Sequence, residues 1–381
     1  MTNEKKNNGI SNTTNNMTSN ITSSTTKRSK IEMVTLESAK SKSSDKISSE
    51  TWSGHLKEWS DIEFRSKFNE IFKAQFGFDF ENWYQSGDIS PNYVPHLLLI
   101  DNQVVANVSV YLMPMNIEGE SKVFAQIGGV VTTPSCRGKG YSRMLMEVVI
   151  KKYEPYCDQI FLYCHDQVVE FYKKFGFTET VEYQCYLDIE TADSPNGRPI
   201  DESLDMFTDE PSDKSNSISS DKGNSMSSDD FNDKLIEKPE VLDLSKDSHL
   251  AILREKATYG NPFSAFAMRE AKPLVMFYTT YFMNQNVYFL REEELIVIAS
   301  YEGEVLIINE ILGKTTLLLE QIVHRMKTDH TAVVVLGFTP KDETGFEKEQ
   351  LKEEDTHLMI LNKEEEITKK KQWMFPVLSH T

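Results

Sequence analysis

Residues 130–142 are Val-Val-Thr-Thr-Pro-Ser-Cys-Arg-Gly-Lys-Gly-Tyr-Ser. A run of β-branched residues leads into a short glycine-rich turn, and beyond Tyr141 the apolar residues have the spacing of an amphipathic helix. A turn at a helix N-terminus collects unpaired backbone N–H groups and the positive end of the helix dipole, and Arg137 and Lys139 add positive charge there. The stretch therefore predicts a site for the phosphate groups of an anionic cofactor.

The residues around this turn predict a strand, a helix and a second strand. Residues 123–131 alternate apolar side chains, and Gly128 and Gly129 interrupt them where a bulge or a close backbone approach is expected. Glycine at these positions leaves room for a ligand. The helix after the turn ends at Pro155, and residues 159–164 form the next strand. A crossover of this kind joins parallel strands and turns the helix N-terminus toward a ligand crevice.

The flanking sequence predicts a complete domain around the crossover. Residues 62–76 have helical apolar spacing, and residues 96–100 and 104–111 form an antiparallel hairpin. After the crossover, residues 168–175 predict a short helix. The strand 183–189 is expected to end the domain.

Two stretches resemble signatures of the GNAT acetyltransferase superfamily. Arg-Gly-Lys-Gly-Tyr-Ser at 137–142 fits its R/Q-x-x-G-x-G/A loop, with Ser142 where Gly or Ala is usual. Phe-Tyr-Lys-Lys-Phe-Gly-Phe at 171–177 fits its L/F-Y-x-x-x-G-F signature, and upstream of it His165 stands where Asn is usual. The resemblance covers residues of about 55–190 and implies an α/β fold with a mixed sheet, the acyl-CoA acetyltransferase fold.

The resemblance also implies acetyl-CoA as co-substrate. No metal is expected, because the cysteines have no metal-ligand spacing. The pyrophosphate is expected on the N–H groups of residues 137–142, and the pantetheine arm along the backbone of Val131 and Thr132. The implied cofactor-binding residues are Val130, Val131, Thr132, Arg137, Gly138, Lys139, Gly140, Tyr141, Ser142 and His165.

The resemblance places Tyr172 beside the sulfur as the catalytic general acid. A phenol of pKa about 10 is a weaker acid than a thiol of about 8.5, so hydrogen-bond stabilisation of the developing thiolate is the safer role. The alternative is that Tyr172 packs in the core. The general base stays unassigned among Glu182, His165 and the C-terminal carboxylate of Thr381, and Gln126 carries no base.

Charge and composition restrict the partners. A formal charge of −18 argues against nucleic acid, which needs clustered Lys and Arg. The acidic residues are explained either by solvated faces or by attraction of a cationic amine acceptor.

The four cysteines have no metal or disulfide spacing, and no apolar run reaches the roughly 18 residues of a membrane span. We expect a cytoplasmic protein without a membrane partner. The basic run 27–30 also allows a nuclear location. The sequence does not indicate an oligomeric state.

Composition also divides the chain. A Ser/Thr/Asn-rich N-terminus (1–52) and an acidic linker (191–237) are predicted to be disordered, since neither has enough large apolar side chains to offset the entropy of ordering. The GNAT-like domain is assigned to 53–190. Residues 238–381 are predicted to form a second α/β lobe, either a degenerate GNAT-like lobe or an independent accessory domain.

The element order suggests that the second lobe repeats the first. Its predicted helices are 263–282, 316–326 and one through Leu250 and Leu253; its predicted strands are 286–290, 296–301, 304–311 and 332–336. The segment 312–316 looks like the end of a nucleotide-binding loop, but Ile308 stands where that loop requires glycine. The apolar tail 373–381 is expected to pack on its own lobe or to insert toward the acceptor site with His380.

These observations predict an N-acetyltransferase that transfers the acetyl group of acetyl-CoA to a primary amine by direct attack in a ternary complex. The alternative is a non-catalytic acyl-CoA-binding or regulatory protein. Polyamine, aminoglycoside-like compound, amino acid, peptide N-terminus and protein lysine all remain open as the acceptor.

Overall fold

The computed structural model describes residues 31–35, 59–189, 238–361, 368 and 371–380. Within them the chain forms two mixed β-sheets with helices packed against them, which confirms the predicted fold class. The strands are β1 (Ile31–Thr35), β2 (Tyr93–Ile100), β3 (Gln103–Ile117), β4 (Glu120–Thr132), β5 (Gln159–Cys164), β6 (Phe177–Thr180), β7 (Tyr183–Asp188), β8 (Glu240–Val241), β9 (Phe266–Met268), β10 (Val287–Leu290), β11 (Leu295–Glu302), β12 (Val305–Leu312), β13 (Val333–Leu336), β14 (Glu347–Gln350) and β15 (His357–Leu361).

The helices are α1 (Ile62–Phe76), α2 (Glu81–Gln85), α3 (Tyr141–Tyr153), α4 (Val169–Lys173), α5 (Asp247–Lys256), α6 (Lys272–Tyr281) and α7 (Leu319–Met326). Helix α1 begins at Asp61, whose carboxylate accepts two backbone N–H groups of the first turn at 2.9 and 3.2 Å, and ends at Gly77 in the left-handed conformation. A cap of this kind contributes about 1 kcal/mol. Phe64, Phe68 and Phe72 form the buried face of α1.

The first sheet has the strand order β1-β2-β3-β4-β5-β15-β6, with β9 paired to the end of β3. Strands β4 and β5 are parallel and α3 connects them, which confirms the predicted crossover. Their ladder joins Phe124–Gln126 to Gln159–Phe161, and both strands continue beyond it. The two strands therefore part toward their C-terminal ends, beside the N-terminus of α3.

The two halves of the chain exchange strands. Strand β7 pairs with β13 and β14 in the second sheet, so the expectation that residues 183–189 end the first domain is wrong. Strand β15, from the second half, lies between β5 and β6 in the first sheet. Cys185 of β7 and Met359 of β15 are both fully buried, and a strand's apolar pattern specifies burial without specifying the neighbouring strand. The predicted linker 191–237 lies outside the described residues.

The second sheet, β14-β7-β13-β12-β11-β10-β8, repeats part of the first. Strands β11 and β12 form the predicted hairpin, and β12 and β13 are parallel and connected by α7. The pairing shifts by one residue where Ile298 faces Glu310 and Ala299 faces Ile308, so β12 has a bulge, as β4 does. The order of hairpin, helix and parallel strand is the one seen in β3, β4, α3 and β5.

Two predictions from local pattern are wrong in part. The helix predicted over 263–282 is instead strand β9 followed by α6, because Pro273 starts a helix in its first turn and Phe266–Met268 pairs with the end of β3. Within the N-terminus predicted to be disordered, Ile31–Thr35 forms a strand that pairs with β2. The edge of β2 supplies the hydrogen-bond partners that an isolated segment lacks.

The C-terminal tail packs between the sheets. Phe375 stacks on Phe161 of β5, with ring centroids 4.1 Å apart, and also contacts Phe266 of β9 at 4.7 Å. The N–H of Val377 donates to the carbonyl of Gly337, just after β13, at 2.8 Å. The tail therefore contacts both halves of the protein.

Candidate active site

The predicted phosphate-binding turn forms at the N-terminus of α3. Gly138 and Gly140 have φ angles of 75° and 81°, in the left-handed region that glycine adopts without strain. Gly140 is the N-cap of α3 and has no side chain to bond the first N–H groups of the helix. A Cβ on either glycine would meet no atom within 4 Å. The backbone conformation requires these glycines, and the space in front of the turn is open.

The side chains of the turn are held by its neighbours. Arg137 donates from Nε to the carbonyl of Thr132 at 3.2 Å and from Nη2 to Oε1 of Gln75 at 3.1 Å. The hydroxyl of Ser142 is hydrogen-bonded to that of Thr132, which ties the start of α3 to the end of β4. Lys139 is exposed. Arg137 is therefore held against the end of β4 and against α1, and Lys139 extends into solvent beside the turn.

Strand β4 carries the predicted bulge just before the turn. It has one extra residue between the pairs that it makes with Asn107 and Ser109 of β3. Val130 is half-buried and Val131 is buried in this segment. Because the β4–β5 ladder has already ended, the segment borders the gap between the two strands and can offer backbone groups to an extended ligand.

Gly129 is in close contact with α1. A Cβ at this position would lie 2.4 Å from Cζ of Phe72, and the side chain of Asn107 donates to the carbonyl of Gly129 at 2.8 Å. The missing side chain therefore makes room for the ring of Phe72, and both residues line the cavity described below.

Tyr172 lies on α4 and is 6% exposed. Its ring contacts Phe171 and Phe177 edge to face, with centroids 5.1 and 6.2 Å apart. Burial raises the pKa of Tyr172 well above its ordinary value, and the nearby thiol of Cys164 raises it further. Complete proton transfer from this phenol to a thiolate is therefore more unfavourable than for a phenol in water, whereas donation of a hydrogen bond is not.

His165 is turned toward the second half of the chain. Its Nδ1 lies 2.9 Å from the backbone carbonyl of Asp355 and 3.3 Å from Oδ2 of the same residue. Beside it, His357 bridges Asp166 at 2.5 Å and Glu179 at 2.7 Å, and these two hydrogen bonds raise the pKa of His357. Sequence reasoning missed this cluster because its members come from segments about 190 positions apart.

An aromatic cavity of about 450 Å³ lies where β4 and β5 part. Its strand side is formed by Gln126, Gly129 and Cys164, and the second half of the chain contributes Glu353 and His380 among others. Its aromatic wall consists of Phe72, Phe76, Phe78, Phe80, Trp83, Tyr93, Phe277, Tyr278 and Phe282. The density of aromatic residues from Phe76 to Tyr84 was the available sequence signal, although the pattern does not say that they line one space.

The tail brings His380 into this cavity. The imidazole packs on the ring of Tyr163 with centroids 4.0 Å apart, and the hydroxyl of Tyr278 donates to the backbone carbonyl of His380 at 2.7 Å. Burial lowers the pKa of His380 to about 4, so the ring is neutral at pH 7. Its Nε2 is buried and has no hydrogen-bond partner among the described residues.

Glu182 holds the tail in place. One carboxylate oxygen accepts the N–H of Phe375 at 2.7 Å and the other accepts the hydroxyl of Tyr163 at 3.0 Å. Burial raises the pKa of Glu182 to about 7. Of the other predicted candidates for the base, His165 is bonded to Asp355 and Thr381 lies outside the described residues.

The described part of the chain holds no group of three or more His, Cys, Asp or Glu that could bind a metal ion. Its cysteines, Cys136, Cys157, Cys164 and Cys185, are free thiols. None of the described helices has the length and apolar character needed to cross a membrane.

Comparison with known proteins places this geometry in a family. Residues 63–180 match the family model described as an acetyltransferase (GNAT) domain. Among solved structures, a probable N-acyltransferase from Enterococcus faecalis is 15% identical with a TM-score of 0.41, covering 78% of this chain and 69% of that one. Eis1 from Mycobacterium abscessus is 13% identical (TM-score 0.43; 78% and 70%), and a GCN5-related N-acetyltransferase from Kribbella flavida is 13% identical (0.41; 79% and 69%).

At these identities and TM-scores the assignment rests on the domain match. That match spans the bulged strand, the glycine-rich turn at 137–142 and the helix that carries Tyr172. Residues 63–180 of this chain form an acyltransferase domain of the GNAT family.

Proposed function

We propose that the protein is an acetyl-CoA-dependent N-acetyltransferase that acts on a primary amine by direct attack in a ternary complex. One observation carries the proposal: the open glycine turn at the start of α3 directly follows a bulged strand that parts from β5. The turn offers N–H groups to a pyrophosphate, and the gap offers a backbone edge to an amide-containing chain. Acetyl-CoA needs both features, because its pyrophosphate and the pantetheine arm that carries the thioester would be held at different places.

The chain's residues divide the binding of acetyl-CoA between them. The N–H groups of residues 137–142, with Arg137 and Lys139, would hold the pyrophosphate. The backbone of Val130, Val131 and Thr132 would pair with the pantetheine arm. This arrangement directs the thioester toward the aromatic cavity, since Gln126 and Cys164, at the point where β4 and β5 part, line that cavity.

The transfer has two costs that the site must reduce. The amine nitrogen forms a bond to the carbonyl carbon while the carbon–sulfur bond breaks, the nitrogen loses a proton, and CoA leaves as a thiolate that then takes up a proton. Deprotonating a lysine-like ammonium of pKa about 10.4 at pH 7 costs roughly 4 to 5 kcal/mol. A hydrogen bond from Tyr172 would stabilise the negative charge that develops on sulfur.

The test follows free thiol while the protein is mixed with acetyl-CoA and a panel of primary amines. We expect amine-dependent thiol release, and we expect Arg137→Ala to weaken acetyl-CoA binding about tenfold because it removes a charge-assisted contact. Lys151→Ala is the matched control, since Lys151 is a cation in the last turn of the same helix. Undiminished acetyl-CoA affinity in Arg137→Ala would refute the assignment of the turn.

One observation favours a second function, a protein that binds acyl-CoA without turnover. His165, which the family resemblance placed near the cofactor, is bonded to Asp355 instead. Acetyl-CoA binding combined with background-level thiol release for every amine would support this second function and refute the first.

A further inference from the structure

The aromatic wall of the cavity is packed ring against ring and extends to the surface. Phe80 stacks on Phe277 with centroids 5.7 Å apart, and the indole N–H of Trp83 donates to a backbone carbonyl of α6 at 3.0 Å. At the mouth, Phe76 and Phe282 are 44% and 57% exposed. An apolar ligand that binds in the cavity would cover these exposed aromatic side chains and remove their apolar surface from water, which is favourable.

Several polar groups inside the cavity are already hydrogen-bonded within the protein. The hydroxyl of Tyr163 donates to a buried carboxylate at 3.0 Å, and that of Tyr278 donates to the tail backbone at 2.7 Å. His165 is bonded to a backbone carbonyl at 2.9 Å. Nε2 of His380, in contrast, is buried without a partner among the described residues. Since buried polar atoms are rarely left unpaired, this nitrogen points to a ligand that supplies the missing hydrogen bond once the imidazole turns toward the cavity.

The charge of the lining restricts the ligand further. Among the described residues that line the cavity, Glu353 is the one carboxylate, and its side chain is exposed. Ammonium groups deeper in the cavity would have no anion to pair with, and burying an unpaired charge is strongly unfavourable. A monoamine avoids this penalty by losing one proton and binding as the neutral amine, whereas a polyamine or an aminoglycoside would have to lose several protons. The volume of about 450 Å³ lies in the range typical of small-molecule sites.

We infer that the aromatic cavity binds a primary amine carried on an apolar, ring-containing body, with an amine N–H donating to Nε2 of His380. The ring packs against the aromatic wall, and the neutral imidazole, with its proton on Nδ1, accepts the hydrogen bond. That this amine is then acetylated rests on the proposed function.

The test measures binding and transfer separately on the full-length protein. Calorimetry with 2-phenylethylamine and with spermidine gives the two affinities, and thiol release from acetyl-CoA gives the transfer. We expect 2-phenylethylamine to bind at least tenfold more tightly than spermidine. His380→Phe keeps a ring on Tyr163 but removes Nε2 and should weaken 2-phenylethylamine binding about tenfold. His380→Gln places an amide near the position of Nε2 and should restore most of the loss.

Two controls separate the inference from loss of fold and from the proposed function. His330→Gln changes an exposed histidine of the second half and should bind 2-phenylethylamine as the unmodified protein does. Spermidine binding as tight as 2-phenylethylamine, or equal affinity in His380→Phe, would overturn the inference even if acetyl transfer occurs. Tight 2-phenylethylamine binding without thiol release would support the inference and refute the transferase function.

Discussion

Replacing Glu182 by Gln is predicted to change the pH dependence of stability. Burial raises the pKa of Glu182 to about 7 from an ordinary 4.5. A carboxyl with a higher pKa in the folded state binds its proton more tightly there, so its contribution to stability is complete below about pH 4.5. That contribution is lost as the pH rises through about 7. The difference between the two pKa values corresponds to on the order of 3 kcal/mol.

Glu182→Gln resembles the protonated acid. The amide oxygen can accept the N–H of Phe375, and the amide N–H can donate to the hydroxyl of Tyr163, so the contacts made by Glu182 at low pH are kept. We expect similar free energies of unfolding at pH 5 for the two proteins. At pH 8 the variant should be more stable by on the order of 3 kcal/mol. Urea denaturation followed by tryptophan fluorescence across this range measures the difference.

Two further variants test the reasoning. Burial also raises the pKa of Glu310 to about 7, so Glu310→Gln, in β12 of the second sheet, should give a pH-dependent difference of the same sign and similar size. Glu349→Gln changes an exposed carboxylate and should give a small difference at every pH. A difference for Glu182→Gln that is independent of pH, or lower stability of that variant at pH 8, would refute the argument.

Three other outcomes are expected. Tyr172→Phe should lower kcat severalfold with little change in KM for acetyl-CoA, because only the hydroxyl is lost; steady-state kinetics with an unchanged kcat would leave Tyr172 as packing. Deleting residues 376–381 removes His380 and should lower kcat and raise the amine KM, and unchanged kinetics in a folded variant would exclude a role for the tail in the site. Cleavage at a protease site engineered into 191–237 should leave the two fragments associated in size-exclusion chromatography, because β7 and β15 lie in each other's sheets; separation of native fragments would contradict the strand exchange.

The elements of the first half were accessible from sequence because their signals are short-range. Helix α1 has its N-cap, its apolar stripe and its terminal glycine within 17 positions, from Asp61 to Gly77. The long helix predicted over 263–282 does not form. Pro273 lies in the first turn of α6, and the residues before it pair with β3 as β9, so apolar spacing alone was misleading. Strand β15 was not predicted, and its place in the first sheet depends on contacts with β5 and β6 more than 170 positions away.

The candidate site also has one part that the sequence predicted and one part that it did not. The turn at 137–142 was predicted because glycine spacing, positive charge and the start of a helix all lie within a few residues. The aromatic wall was not predicted, since its residues come from α1, α2, β2 and α6 and from the loops beside them. The sequence also did not show that the ring of Phe72 packs against Gly129.

By itself the sequence determined the GNAT resemblance, which rests on two short signatures. It also determined the crossover of β4, α3 and β5 and the location of the glycine-rich turn at 137–142, which follow from backbone preferences over a few residues. Only the tertiary structure decided which strands share a sheet and what reaches the aromatic cavity. Glu182 meets Phe375 across 193 positions, and His165 meets Asp355 across 190. Such contacts form because packing buries both partners together, and neither partner's local sequence specifies the other.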